Sequence, residues 1–435
     1  MRKANFPACL VAIVLSYNFA RAQTLRGGKR IKDSLGNFHF QTTLIGQGNL
    51  PFPAQYSGAN SLDPGGEIRE TFSSDVTARF RLWRGGEFFA DALVWQGGGL
   101  SHTTGLAAFP NGEAFRVGKT YPDAAIGQAY LRETLWLGGD TASNPESDGQ
   151  GERRLTLTVG RFAATNIFDR NIYADDPRTQ FMNWAFVTDL AWDYPANTLG
   201  FTNGVAAELI LGSWAARLGV FQVTRVQNGM RLDWNLPHAW SAAAEIEKRY
   251  SFGTRPGAIR LLAWEERAHM GNFQESLRNP ADIQLNGLRR YRSKYGFGIN
   301  LEQELRSDLG LFARLGWNDG KNETWEFTDV DRTASAGVSL KGDAWHRPKD
   351  TVGLAAVVDG ISAAHRQFLA AGGLGITVGD GALNYSPERV VETYYDWRAT
   401  KHFWLTFDYQ RAVDPAYNQA RGPVNIFATR LHWEY

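Results

Sequence analysis

Cysteine is almost missing from this 435-residue chain, and its one copy, Cys9, falls within the first 22 residues. Those residues read as a cleavable export signal. Arg2 and Lys3 form a basic start, Phe6 to Leu15 an apolar run, and Ala20, Arg21 and Ala22 a small-residue cleavage site before Gln23. A mature chain without cysteine has no disulfide, no thiolate metal site and no cysteine nucleophile. With no lipobox at the cleavage site, lipid anchoring through Cys9 is not expected. Long apolar runs are missing too: the leader's run is too short to span a bilayer as a helix, and no later stretch is long enough. An excess of charge is also absent. The 46 Lys and Arg face 45 Asp and Glu, and removing Arg2, Lys3 and Arg21 leaves 43 basic residues against 45 acidic. Such balance argues against nucleic acid as a partner and against a pore strongly selective for ions of one sign. Finally, the chain lacks Gly-x-Ser-x-Gly, His-Glu-x-x-His and Gly-x-x-x-x-Gly-Lys, and Ser101 beside His102 is the wrong relation for a nucleophile and its base. No enzyme, cofactor or metal site is expected.

What the chain has is alternation. In its last stretch Phe427, Thr429, Leu431, Trp433 and Tyr435 share one face of a strand, while Ala428, Arg430, His432 and Glu434 share the other. An alternating strand that ends on an aromatic resembles the closing strand of bacterial outer-membrane barrels, the signal read by their insertion machinery. From Phe38 the same two-residue period recurs. Phe38, Phe40, Thr42 and Leu44 oppose His39, Gln41 and Thr43; Val76, Ala78, Phe80 and Leu82 oppose Asp75, Thr77, Arg79, Arg81 and Trp83. Further strands centre near Leu131, Leu157, Leu209, Leu218, Ala244, Leu261, Ile299, Ala313, Val338, Ala356, Thr393 and Phe407, a tally of roughly 16. The connections sort by parity. Those at Arg84, near Ser213, at 306–308 and at 398–401 are short; 97–127, 163–203, 267–293 and 360–387 are long. A soluble sandwich has no reason to sort its loops in this way. The expected fold is therefore all-β, a transmembrane antiparallel barrel of about 16 strands with long external loops folding into the lumen. Its expected organisation is a signal peptide at 1–22, a short periplasmic segment at 23–37 and the barrel at 38–435.

Extending the polar phase of each strand puts Arg79, Arg81, Trp83, Asp91, Trp95, Arg132 and Glu392 toward the lumen. Mixed charges among aromatic rings suit small, neutral, hydroxyl-rich solutes, although opposite charges in adjacent strands also serve simply to hold a sheet together. Trp184 and Trp192 lie in the longest loop, so 163–203 is expected to pack inward and narrow the pore.

Several stretches together resemble the carbohydrate-selective porins of the OprB type. They are 366–375 (RQFLAAGGLG), 379–385 (GDGALNY), 408–410 (DYQ), 415–418 (PAYN) and 421–424 (RGPV), with 56–62 (YSGANSL), 82–87 (LWRGGE) and 109–114 (FPNGEA) upstream. The resemblance implies a Gram-negative outer-membrane channel for passive uptake of glucose and related sugars. It also implies inward loops forming an eyelet and a homotrimer as the assembly. Asn111, Glu113, Asn384 and Tyr385 fall in the matched loops where such a constriction would be built. Many members of that family carry a longer periplasmic extension, whereas only 23–37 stands in its place here. The expected partners are small neutral sugars, outer-membrane lipid and the insertion machinery. The alternatives are a general diffusion pore and an exporter of acidic polysaccharide, the latter disfavoured by the balanced lumen.

Overall fold

The computed structural model describes residues 36–114, 118–137, 153–279 and 283–435; the leader at 1–22 and most of the segment following it lie outside these. Sixteen strands follow in order. The first eight are β1 (Asn37–Asn49), β2 (Glu67–Trp83), β3 (Gly86–Gln96), β4 (Asp123–Trp136), β5 (Arg153–Phe162), β6 (Thr202–Leu211), β7 (Trp214–Phe221) and β8 (Trp240–Phe252). The second eight are β9 (Arg255–Met270), β10 (Arg290–Arg306), β11 (Leu309–Asn318), β12 (Arg332–Gly342), β13 (Arg347–Gly360), β14 (Glu388–Arg398), β15 (Phe403–Val413) and β16 (Val424–Glu434). Each pairs antiparallel with its neighbour in sequence, and β1 closes on β16 to complete the barrel. The closing seam runs from Gln41 opposite Glu434 to Asn49 opposite Ile426, with Phe40 and Tyr435 exchanging both backbone hydrogen bonds at 2.8 Å. Closure leaves no strand edge unpaired, which a sheet in hydrocarbon requires.

The alternation resolves as an inside-out protein. On β15, Phe407 is 55% exposed while its neighbours Thr406 and Asp408 are 0% and 5% exposed. Facing water, a phenylalanine left out in this way would forgo about 2 kcal/mol of burial, and the same inversion recurs around the wall at Val76, Leu218, Ile246, Leu261, Ile299 and Leu354. Only a hydrocarbon surround makes that pattern stable. Toward the turn end the wall carries aromatic contacts, among them Phe38 with Phe80 and Phe40 with Trp433, at centroid distances of 5.9 and 5.2 Å.

Tight turns and long loops occupy opposite ends of the barrel, as the parity predicts, except that the connection from β4 to β5, residues 137–152, is long although it joins strands at the turn end. The β2–β3 turn needs Gly85: its φ is +88°, and a Cβ there would lie 2.3 Å from the Thr134 carbonyl oxygen. One departure follows at this turn. The register shifts between Arg81 and Trp83, so Trp83 lies opposite Gly86 rather than one step out of phase with it. The bulge turns the ring to the outer face of Phe80 and Phe88, where its Nε1 donates to Glu133 Oε2 at 2.6 Å. Trp83 therefore does not line the lumen, contrary to the strand phase.

The lumen is not an open tube. Loop residues pack against the inner wall from β11 to β16, with Phe181 touching Phe312 and Tyr394 at 5.4 and 4.9 Å. Inward glycines make the room. At Gly310 a Cβ would stand 2.0 Å from the Tyr173 ring, so the deepest part of the β5–β6 loop rests directly on backbone. Gly310→Ala is expected to force Tyr173 off this seat and to destabilise the folded barrel by about 1–3 kcal/mol. A lower temperature for loss of the compact band in an unheated detergent gel is the expected readout.

Candidate pore constriction

A long irregular segment inside a barrel brings backbone N–H and C=O groups that must find partners. The β5–β6 loop finds them on side chains of the far wall. Arg314 of β11, almost fully buried, donates to the carbonyls of Phe186 (2.6 Å), Ala174 (2.8 Å) and Asp169 (3.2 Å), and its Nε lies 3.1 Å from an Asp169 carboxylate oxygen. Asn300 of β10 donates to Asp169 Oδ1 at 2.6 Å and accepts from Asn171 at 2.7 Å. Arg430 of β16 donates to the carbonyls of Pro177 and Gln180 at 2.7 and 2.8 Å. Glu392 of β14 accepts from the Met182 and Asn183 amides at 2.6 and 3.0 Å. It points inward as expected, but it is buried and committed to holding the loop. A one-turn helix at Trp184–Val187 follows, started by Asn183, whose side chain accepts from Ala185 N at 2.9 Å. The loop so pinned crosses the lumen, as expected of 163–203.

Between this loop and β2 stands Arg178, which no sequence pattern marked. Its guanidinium bonds Asp75 of β2, and its Nε lies 3.0 Å from Glu113 Oε2. Burial alone would lower its pKa; the Glu113 and Asp75 carboxylates beside it outweigh that and raise it above the ordinary arginine value. Glu113 also receives the Ser73 hydroxyl, while Asn111 accepts from Glu113 N at 2.9 Å and donates to Thr71 at 3.0 Å. Asn111 and Glu113 thus lie together where two loops meet the inner face of β2. Removing Arg178 leaves Asp75 and Glu113 without this countercharge. One uncompensated charge changes the energy of a passing ion by about 1 kcal/mol in a wet, screened pore, roughly five-fold in permeability ratio. Arg178→Ala should therefore shift the reversal potential in a KCl gradient toward cation preference by that factor.

The wall opposite the packed side is formed by β2 to β4. Arg79 and Arg81 point inward and are exposed; Phe89 and Tyr130 stack at 4.9 Å, and the Arg132 guanidinium lies 5.3 Å over the Tyr130 ring. Asp91 is inward but buried, with Gln128 donating to it at 3.4 Å. Trp95 is inward and buried in a cluster with Leu93 and Leu199, so loop residues cover it. From β6 to β10 the polar rows pair across strands. Arg217 binds Glu208, Glu245 and Glu247 at 2.7, 2.6 and 2.9 Å, and Arg260 binds Glu247 and Glu302 at 2.8 and 3.0 Å. On this side the charges brace the barrel.

Beside the constriction a cleft opens between loops. Four rings line it. Trp184 lies 6.0 Å from Phe109, 6.3 Å from Tyr194 and 6.2 Å from Phe327, and Tyr194 stacks on Phe327 at 4.5 Å and 14°. Trp184 is thus where the sequence suggested, but its three companions come from loops whose aromatics carry no periodicity. Asn384 and Tyr385 lie elsewhere. Asn384 is exposed and bonds the β15–β16 loop through Asn418 and Gln419, and Tyr385 packs on Tyr417 with Arg366 4.2 Å over its ring. The structure does not bring them to Asn111 and Glu113.

A closed 16-strand barrel with an apolar outer belt, a charged lumen and an inward-folded loop defines an outer-membrane porin, a channel and not an enzyme. Residues 59–435 match the family described as carbohydrate-selective porin, OprB family, and the chain belongs to it. Its fold is that of Pseudomonas putida OprB in a high-pH structure, with a TM-score of 0.69 at 16% identity over 97% of each chain. It is also similar to the outer-membrane channel DcaP of Acinetobacter baumannii, with a TM-score of 0.50 at 11% identity over 94% of this chain and 100% of that one. No curated protein sequence matches. The protein is a porin for carbohydrates in a Gram-negative outer membrane.

Proposed function

We propose that the channel passes glucose and related neutral sugars by passive diffusion into the periplasm, selecting them at the aromatic cleft and at the Arg178 narrowing beside it. The observation that carries this reading is a set of four rings, Trp184 with Phe109, Tyr194 and Phe327, gathered in one cleft among the loops. A sugar ring has C–H faces that lie on aromatic surfaces and hydroxyls that bond charged side chains, so this pairing of surfaces fits it. Arg79, Arg81 and Arg132 would supply the donors along the open wall. Contacts this few release the solute readily, which conduction requires.

Liposome swelling tests the reading. Vesicles carrying the protein should swell faster in glucose than in a neutral non-sugar of matched size, and slower as the sugar lengthens. Equal rates for size-matched solutes would instead mark a general diffusion pore. Assembly as a homotrimer and reading of the terminal aromatic strand by the insertion machinery are proposed from the family resemblance, and chemical cross-linking in outer-membrane vesicles tests the first.

A further inference from the structure

The outer wall changes character above its apolar belt between β8 and β10. Trp264, Glu266, Ala268 and Met270 of β9 are buried within, so Leu261, Ala263, Glu265, Arg267 and His269 follow one another up the outside. Opposite Glu265 in register stands Tyr295, clustered with Phe297 and Trp317 at 6.4 and 5.9 Å. Such outward rings mark the edge of the hydrocarbon. Arg267 lies two residues beyond, about 7 Å higher by strand rise, level with lipid head groups.

The second part of the β7–β8 loop, residues 233–238, folds over this wall. The tip of its hairpin turns inward, Asn228 N donating to Trp325 O at 2.8 Å and Gly229 O accepting from Thr198 N at 3.1 Å, and leaves its flanks exposed above the wall. Arg225 N donates to Arg231 O at 2.9 Å, which sets these two arginines side by side in a small hairpin. Asp233 then accepts the Tyr291 hydroxyl at 3.1 Å, and the His238 ring stacks on the same tyrosine at 5.6 Å. Tyr291 pairs in register with the outward His269, so both anchors of the 233–238 segment sit on the outside of the barrel. Between them Trp234 is 75% exposed and Leu236 49% exposed. Among the described residues no carboxylate pairs with Arg225, Arg231 or Arg267. Of the acids on this face, Asp233 is engaged by Tyr291 and Glu265 lies lower, at the aromatic edge.

We propose that this face binds a phosphorylated glycolipid of the outer leaflet. Trp234 and Leu236 enter the boundary between acyl chains and head groups, and the three arginines pair with phosphate oxygens. Loops in this class face outward, which puts the patch against the outer leaflet. A second copy of the chain seated on the same face would set these arginines against themselves, which opposes a symmetric contact.

Native mass spectrometry of the intact detergent-purified porin, titrated with bisphosphorylated lipid A, tests this. One lipid should stay bound to the wild type. Arg225→Ala/Arg231→Ala/Arg267→Ala should weaken retention at least about ten-fold, since three charge-assisted contacts to phosphate are lost together. Dephosphorylated lipid A should bind the wild type as weakly as the intact lipid binds the triple variant. Trp234→Ala/Leu236→Ala should weaken both lipids. A normal heat-modifiable gel shift and unchanged conductance establish that each variant is folded. Equal retention by wild type and triple variant, indifference to the phosphates, or a protein dimer that the Trp234 variant abolishes would each overturn the proposal.

Discussion

Arg314→Ala is expected to raise single-channel conductance several-fold and to make the current noisy, while leaving barrel assembly intact. The side chain is almost fully buried and bonds three loop carbonyls and the Asp169 carboxylate, so it ties both limbs of the β5–β6 loop to β11. Breaking one partner of a buried ion pair costs about 3–5 kcal/mol, because the remaining charge stays desolvated. The strand ladder is separate from this contact, so the cost falls on the docked loop, which is released into the lumen. Arg314→Lys keeps the charge but loses the planar fork that reaches several carbonyls at once, and should give an intermediate conductance. Planar-bilayer recording of both variants checks the order; wild-type conductance in the alanine variant would mean that the loop needs no such pin.

The second large effect is expected at Trp184. Its indole is half-buried, with the rings of Phe109, Tyr194 and Phe327 centred 6.0, 6.3 and 6.2 Å away and tilted against it. Trp184→Ala should weaken sugar block of the current by about five- to ten-fold, the equivalent of about 1–1.4 kcal/mol for one lost aromatic platform. Open-channel conductance should stay the same or rise slightly, because the narrowing is held by Arg178 and not by this ring. A matching loss in Phe327→Ala, with no loss in the exposed Asn384→Ala, would locate the binding surface in the cleft rather than in the β13–β14 loop.

The barrel was legible because its physics is periodic. Alternation with period two marked the inward and outward faces of β1 and β16, and the parity of loop lengths marked the two ends. Where periodicity broke, the reading broke with it. At Trp83 a one-residue bulge after Arg81 moved the ring to the outer face, and a bulge has no signature in a run of residues that otherwise alternates cleanly. The constriction was legible only in part. Asn111, Glu113 and Trp184 sit where the loops meet, but Arg178, Phe109, Tyr194 and Phe327 come from irregular segments, where position depends on which distant side chains receive the backbone. Glu392 shows the same limit from the other side. Its phase was right, but the strand pattern could not tell an inward carboxylate that meets solute from one that holds Met182 and Asn183.

The most direct test of the account is single-channel current through the purified porin titrated with glucose and, separately, with a neutral non-sugar of the same size. Concentration-dependent block by glucose alone is expected, with weaker block in Trp184→Ala. Equal reduction of the current by both solutes, or by neither, would contradict it and leave a barrel whose loops narrow the lumen without selecting sugars.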